Sequence, residues 1–244
     1  MEKTPDGLLD GREPCYNPDM ADGDFSLYLT HSAEDENWQL VCTDVGMTHV
    51  PPGSPYPPHP EEHPPQFQSV SIGRRLSEYH FVYIPSGRGQ LEMYDQSFVV
   101  EQGSVILLLP GIRHAYRPDP ATGWTEYWVG FVGPHADALL ASGIITPDRP
   151  LFHPGYQASL MAGFHSIFDH VKRQSPLYQF RVCSEILCLL AELLSLERLS
   201  VQQTRAGEIV EQAKAFIHDN IRTVFDLESL GASLRHPDAL SLAG

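Results

Sequence analysis

The amino-acid sequence predicts a domain of short β-strands, folded as a sandwich or small barrel, followed by a helical segment. Between residues 67 and 131, short runs of β-branched and aromatic residues alternate with turns that contain glycine and proline. That rhythm is typical of a sheet that closes on itself or packs on a second sheet. After Gly133 the apolar residues recur at helical spacing instead. We therefore predict a mainly β domain over residues 25–135 and helices over residues 136–200.

The predicted strands fall into two groups, separated by a proline-rich segment. The first group is Phe25–Leu29 and Leu40–Val45, and the second is Gln68–Ile72, Tyr79–Ile84, Gln90–Tyr94, Phe98–Val100, Val105–Leu109 and Thr125–Phe131. Between the groups, eight of the fifteen residues from Pro51 to Pro65 are proline. Proline fixes φ and removes an amide donor, so this segment cannot lie in the middle of a sheet. It is either a linker or a flap that carries Tyr56 and His59 over a pocket.

The helical part contains Ala136–Ser142, Tyr156–Arg173 and a leucine-rich helix, after which residues 202–207 are predicted to form a short polar linker. In the leucine-rich helix, apolar residues recur at alternating spacings of four and three, as in the seam of a two-helix coiled coil. The residues of this seam are Val182, Ile186, Leu189, Leu193 and Leu196. A second apolar stripe lies beside it and comprises Cys183, Leu187, Leu190 and Leu194. We predict a homodimer through the seam; the alternative is one wide face that packs on the chain's own barrel.

Composition and charge narrow the classes of protein to which the chain can belong. The net charge of −15 disfavours binding to nucleic acid, because non-specific affinity for the phosphate backbone comes from Lys and Arg. The start of the chain lacks the basic and apolar parts of a signal peptide. The sequence also contains no run of about 18 apolar residues, so we expect no membrane partner. Residues 1–24 are rich in Asp, Gly and Pro without a period, which predicts a flexible arm. We expect a cytoplasmic protein.

Residue patterns that would indicate catalysis are missing. The sequence has no GxSxG elbow, P-loop, GxGxxG fingerprint or HExxH helix, and its four cysteines form no CxxC pair. Glu78, Glu92 and Glu126 could be general acids, but isolated carboxylates in strands more often lie at an edge or on the surface. We therefore predict no catalytic residue, no cofactor and no enzymatic activity.

The predicted barrel carries aromatic side chains together with hydrogen-bonding groups. Flat aromatic faces beside planar polar donors suit a small polyol, because the apolar face of a sugar stacks while its hydroxyls need directed partners. The candidate ligand-binding residues are His59, Arg74, Tyr79, Tyr83, His114, Tyr116, Trp124 and Trp128. For any single aromatic residue in this set, the alternative role is to fill the core.

The segment Glu101–His114 contains a turn, a strand, a Pro110-Gly111 corner and a histidine. It resembles the second half of the cupin signature, and Tyr83–Gly89 resembles the hairpin that precedes it. The resemblance implies a cupin-like barrel, a jelly-roll also called a double-stranded β-helix. Metal-binding cupins also need an earlier His-x-His and a Glu. The corresponding stretch, Gly73–His80, holds arginines that cannot be ligands, so we predict no bound metal.

A wider set of segments resembles the sensor domain of AraC-family transcription regulators, especially those that control carbohydrate use. The segments include Gly73–Tyr79, Gly87–Gly89, Gly103–Leu109, His114–Asp119 and Glu126–Gly133, and the resemblance spans roughly residues 50 to 200. It implies a small effector, here expected to be a sugar, a dimer contact through the helices, and a C-terminal domain of two helix-turn-helix units that binds DNA.

Residues 207–244 resemble only the start of that DNA-binding domain. A helix over Ile209–Asn220 and the segment Asp226–Leu234 match it, whereas Pro237 would break the first recognition helix. Without recognition helices no side chain enters the major groove. We therefore expect DNA to be a partner of the full-length regulator but not of this truncated chain.

Three functions follow from these observations. The first is an effector-binding, dimerising part of an AraC-family regulator. The second is a cupin-type metal-dependent enzyme, such as an isomerase or a dioxygenase. The third is a naturally truncated regulator that forms inactive heterodimers with a full-length relative.

Overall fold

The computed structural model describes residues 24–58 and 73–219. The chain divides into two compact units, Met1–Leu193 and Leu194–Gly244. Most of the predicted arm, the predicted strand Gln68–Ile72, the candidate ligand residue His59 and residues 220–244 lie outside the described residues.

The first unit contains two antiparallel sheets. The larger sheet has the strand order β1-β2-β8-β3-β6-β9 and the smaller has the order β5-β4-β7. The strands are β1 Phe25–Tyr28, β2 Val41–Val50, β3 Tyr79–Gly87, β4 Gly89–Met93, β5 Gln96–Val100, β6 Ser104–Leu108, β7 His114–Pro118, β8 Trp124–Val132 and β9 Leu151–Phe152. The prediction of β-sheets followed by helices is confirmed.

Strands β3 and β8 are buried on both faces, and their alternate residues face two different cores. Side chains such as Val82 and Ile84 join a core between the two sheets. Their neighbours Phe81 and Val129 join a second core between the larger sheet and the helices. Because successive side chains in a strand point to opposite faces, one strand can serve both cores.

The helices are α1 Ala33–Glu36, α2 Pro134–Ala141, α3 Ala158–Arg173 and α4 Tyr178–Asp219. Helix α3 has a pronounced apolar stripe, with Leu160, Phe164, Ile167, Phe168 and Val171 buried. This stripe packs on the outer face of the larger sheet, where Phe164 meets the rings of Phe81 and Tyr127.

The predicted dimer seam lies inside the chain. Val182, Ile186, Leu189 and Leu193 are at most 2 % exposed and belong to the core between the sheet and the helices. Within the same unit, Cys183 and Leu190 of the second stripe are also buried. The prediction that these four residues contact a partner is therefore wrong, because the chain's own sheet and helices cover them. The wide core-facing surface weighed as the alternative accounts for the buried residues of both stripes up to Leu193. The homodimer, with Leu196 in the second unit, stays a prediction.

Three other local expectations differ from the structure. Strand β7 was not predicted, and β9 interrupts a segment predicted to be helical, where it pairs with β6. A two-residue strand is too short to show an alternating pattern. Residues 202–207, predicted as a polar linker, belong to α4.

Among the described residues no helix is both long and apolar enough to cross a bilayer.

Replacing Phe164 with alanine should lower the free energy of unfolding by about 3–5 kcal/mol, because the ring is fully buried and a cavity would remain. Urea denaturation followed by circular dichroism measures the change. Tyr156→Ala is the control, since Tyr156 is 61 % exposed. Equal losses in the two variants would contradict this account of the core.

Candidate functional site

A cavity opens between the two sheets, on the inner face of the larger one. It encloses about 450 Å³, including its solvent-open mouth. Its polar lining comes from Thr48, Arg74, His80 and Glu126, and its aromatic lining from Tyr28, Tyr56, Tyr116 and Trp128. A concave site that combines aromatic faces with a few converging polar groups is typical of small-molecule binding.

Arg74 is the cationic group of the cavity, and the surrounding residues hold its guanidinium in place. Its Nε donates to Nε2 of His114 at 3.4 Å, and its Nη2 donates to the hydroxyl of Tyr116 at 3.2 Å. The guanidinium carbon also lies 5.7 Å from the centre of the Tyr116 ring. The backbones of Arg74 and His114 pair as an isolated β-bridge. Both the backbone and the side chain of Arg74 are thus fixed before any ligand arrives.

His114 lies behind Arg74 and is 1 % exposed. Its Nδ1 lies 3.0 Å from the carbonyl oxygen of Ile112, which can only accept a hydrogen bond, so Nδ1 carries the proton. Nε2 is then the acceptor that Arg74 needs. Burial, and next the charge of Arg74, lower the pKa of His114 to about 3. A neutral imidazole therefore positions the guanidinium at physiological pH.

The proline-rich segment covers part of the cavity. Tyr56, Pro57 and Pro58 line it, and the Tyr56 ring packs edge-on against Trp124 with their centres 5.7 Å apart. The Tyr56 hydroxyl lies 3.1 Å from each carboxyl oxygen of Glu126 and donates to that group. Of the two interpretations of this segment, the described part fits the flap.

Glu126 is the buried carboxyl group of the cavity and is 5 % exposed. Burial raises its pKa to about 8, while the hydrogen bond from Tyr56 and the charge of Arg74 act in the opposite direction. At neutral pH the group is largely protonated, so it can donate as well as accept hydrogen bonds.

The ring of Trp128 lines the cavity because the strand beside it leaves room. Trp128 on β8 pairs with Gly46 on β2. A Cβ at position 46 would overlap the indole ring. Gly46 therefore allows a flat aromatic surface to lie across the adjacent strand.

The structure places some predicted ligand residues at the cavity and others elsewhere. Arg74, Tyr116 and Trp128 line it, and His114 lies directly behind Arg74. Trp124 is 1 % exposed in the core between the sheets, and its indole nitrogen has no hydrogen-bond partner among the described residues.

The predictions for Tyr79 and Tyr83 are wrong. Both rings lie on the helix side of β3. The Tyr79 hydroxyl donates to Asp137 at 2.8 Å, and the Tyr83 hydroxyl donates to the carbonyl oxygen of Gly155 at 3.2 Å. The physical reason is that successive side chains of a strand point to opposite faces. His80 points inward, so the odd-numbered residues of β3, which include Tyr79 and Tyr83, point outward.

Sequence reasoning missed several lining residues. Tyr28, Thr48 and Pro58 carry no motif, and Glu126 was expected at an edge or on the surface. One signal could have found Glu126, because it shares a strand face, at a spacing of two, with Trp124 and Trp128, which the sequence assigned to the pocket.

A second polar cluster lies beside the cavity. Asp44 on β2 and His80 on β3 are 1 % exposed, and Glu78 is partly buried just before β3. The Nε2 atom of His80 lies 3.4 Å from a carboxylate oxygen of each acid. One ligand atom from each residue can be chosen so that all three lie within 4.8 Å of one another, which is a spacing that could hold a metal ion.

Comparisons with known proteins agree with these features. A family model described as the AraC-like ligand binding domain matches residues 68–194, just over half of the chain. The MmsAB operon regulatory protein of Pseudomonas aeruginosa is 27 % identical over 165 residues, which cover 65 % of this chain and 52 % of that protein. The Msm operon regulatory protein of Streptococcus mutans is 24 % identical over 156 residues, which cover 62 % and 56 %.

Among solved structures, a cupin protein from Bacteroides fragilis is similar over 49 % of this chain and 86 % of its own, with 14 % identity and a TM-score of 0.30. The chain spans about half the length of the curated relatives that it matches. By the extent of the family match, together with the barrel and cavity described above, the chain belongs to the AraC-like ligand-binding domain family.

Proposed function

We propose that this chain is the effector-binding part of a transcription regulator, that its effector is a sugar or a related small carbohydrate, and that it is not an enzyme. The observation that carries the proposal is the cavity, where a buried guanidinium, a buried carboxyl group and a tryptophan face meet. The regulator names of both curated relatives support the general role.

The chemistry of the lining favours a polyhydroxylated ligand. Trp128 and Tyr116 offer flat apolar faces, on which the C–H side of a sugar ring can stack. Arg74 donates hydrogen bonds in a planar fork, and the largely neutral Glu126 can both donate and accept. A sugar hydroxyl needs partners of both kinds, and an apolar ligand would leave these buried groups without partners.

The Tyr56 hydroxyl occupies the position at Glu126 that a ligand hydroxyl would be expected to take. In our proposal, an effector competes with Tyr56 for this carboxyl group. A ligand that binds one arrangement of the flap better than the other shifts the balance between them.

In the same proposal, DNA is the partner of the complete regulator, and the protein acts in the cytoplasm. The residues described here supply the sensing step.

A thermal-shift screen against mono- and oligosaccharides tests the proposal. A sugar at 100 times its Kd should stabilise the chain by about 2.7 kcal/mol, because it binds only the native state. The shift should persist in the presence of EDTA. It should also persist in Trp38→Ala, which removes a half-exposed indole outside the cavity, and disappear in Trp128→Ala.

Two results would count against the sugar assignment. One is the absence of any saccharide-dependent shift across the panel. The other is a shift of equal size in Trp128→Ala and in the wild-type chain, which would place the binding elsewhere.

A further inference from the structure

We propose that Asp44, Glu78 and His80 form a binding site for a divalent transition-metal ion, with zinc as the best match. The site lies on the inner face of the larger sheet beside the cavity. It uses neither Arg74 nor His114, and it does not depend on the identity of the effector.

The strand register brings the site together from strands that are not neighbours. Asp44 on β2 pairs with Gly130 on β8, and Gly130 pairs with His80 on β3. The three residues therefore form one row across the sheet, with β8 in the middle. Two strand spacings of about 4.8 Å separate the outer backbones, so their side chains meet only by reaching over the central strand.

Gly130 makes that meeting possible. A Cβ at position 130 would overlap the Asp44 carboxylate and crowd the Thr43 hydroxyl. The absence of a side chain leaves the space in which Asp44 and His80 approach to 3.4 Å. Any other residue at this position would fill the site.

A β-bulge directs Asp44 into the site. The register of β2 against β8 shifts between Cys42 and Asp44, so one extra residue is accommodated there. The bulge is fixed from outside by Gln179 of α4, whose side-chain amide both accepts from and donates to the Cys42 backbone at 3.0 Å. Asp44 is thus held in place by the fold and not only by its partners.

The distances suit a metal ion. Ligands about 2.0–2.1 Å from a tetrahedral zinc ion lie about 3.3–3.4 Å apart. His80 Nε2 lies 3.4 Å from an oxygen of Asp44 and 3.4 Å from an oxygen of Glu78. All three ligand atoms fall within 4.8 Å, so a small inward movement of the acids would complete three corners of a tetrahedron.

The electrostatic environment also calls for a cation. Two carboxylates converge on a single imidazole, and Oδ1 of the buried Asp44 accepts no hydrogen bond among the described residues. The other charge that acts on both acids is Arg74, whose influence is smaller than that of His80. A divalent ion held by Asp44 and Glu78 would balance the charge of the second carboxylate.

The types of donor atom in the cluster distinguish between candidate metal ions. An imidazole nitrogen together with carboxylate oxygens suits zinc and neighbouring first-row ions, whereas magnesium and calcium prefer oxygen alone. The Glu78 side chain is 12 % exposed, so the site has a route to solvent. His80 also lines the cavity, so the cluster and the cavity share one wall residue.

Zinc titration of the EDTA-stripped full chain, in competition with a chromophoric chelator, tests the proposal. We expect one equivalent to bind, and we expect Asp44→Asn and Glu78→Gln each to weaken binding more than tenfold, since even outer-shell substitutions at zinc sites cost about 10–100-fold. Glu92→Gln is the matched control, because Glu92 is a half-exposed carboxylate of the same barrel that pairs with Arg117, outside both the cluster and the cavity. A tenfold excess of magnesium should not compete.

X-ray absorption at the zinc edge provides the second measurement. A shell of nitrogen and oxygen near about 2.0 Å is expected, without sulfur near about 2.3 Å. The proposal is overturned by a sulfur shell, by the absence of stoichiometric binding, or by equal affinity in the wild type and both variants. Thermal melts of the metal-free variants establish that they fold, and if Asp44→Asn does not, the partly exposed Glu78→Gln decides the outcome.

Discussion

Arg74→Met should reduce affinity for the effector by on the order of 100-fold, measured by isothermal titration calorimetry with the saccharide that gives the largest thermal shift. The reason is that a buried, charge-assisted donor is worth about 2–3 kcal/mol, and methionine keeps the volume without the donors. Arg74→Lys should recover part of the loss, because it restores the charge but not the planar fork.

Arg75→Met is the matched control for this experiment. Arg75 is the next residue in the chain, but it is exposed and donates to the carbonyl oxygen of Gly111 at 2.6 Å. We expect the affinity of Arg75→Met for the effector to stay within about twofold of the wild-type value, because an exposed surface charge contributes little. If the two methionine variants bind equally well, Arg74 is not a ligand contact.

Glu126→Gln should make the chain progressively more stable than the wild type as the pH rises from 5 to 8. The ordinary pKa of this group is 4.5, and burial raises it to about 8 in the folded chain. Between these values the folded state holds a proton that the unfolded chain has released, so stability contributed by the neutral group is complete below pH 4.5 and is lost as the pH rises through 8. The difference between variant and wild type should grow by about 3 kcal/mol.

Urea denaturation at pH 5, 6, 7 and 8 measures that growth. Glu101→Gln, which neutralises an exposed carboxylate, controls for the loss of one charge. Tyr56→Phe sharpens the test, because the Tyr56 hydrogen bond lowers the pKa of Glu126 and its removal should shift the loss of stability to higher pH. A pH-independent difference between Glu126→Gln and the wild type would contradict a neutral Glu126.

The sequence alone predicts which segments are strands more reliably than it predicts which face each residue occupies. The strand over Tyr79–Ile84 was expected, but its residues are apolar or aromatic on both faces. A strand buried on both sides shows no alternation between polar and apolar residues. Tyr79 and Tyr83 were therefore assigned to the pocket, although they contact the helices.

The chemistry of the cavity was predicted only in part, because its acidic members look ordinary in the sequence. Glu126 is a single carboxylate, and the one local sign of its burial is that it shares a strand face with Trp124 and Trp128. Asp44 and His80 are 36 positions apart and meet only because β8 lies between their strands. Contacts of this kind depend on sheet order, which local periodicity does not determine.

The leucine-rich helix shows a related ambiguity. A seam with spacings of four and three fits a partner helix and also fits the chain's own sheet. Packing resolves it, since Val182 and Leu189 are covered within the same unit. An apolar stripe thus predicts burial, but it does not identify the surface that covers it.

The two-sided use of β8 has a consequence for how such proteins diverge. Glu126 and Trp128 face the cavity, whereas Tyr127 and Val129 face the helices. Substitutions on the first set alter what the barrel can hold and leave the helix contact intact, while substitutions on the second set weaken the scaffold. A barrel of this kind can therefore change which ligand it holds through exchanges at every second position of a strand, while the core between the sheet and the helices stays the same.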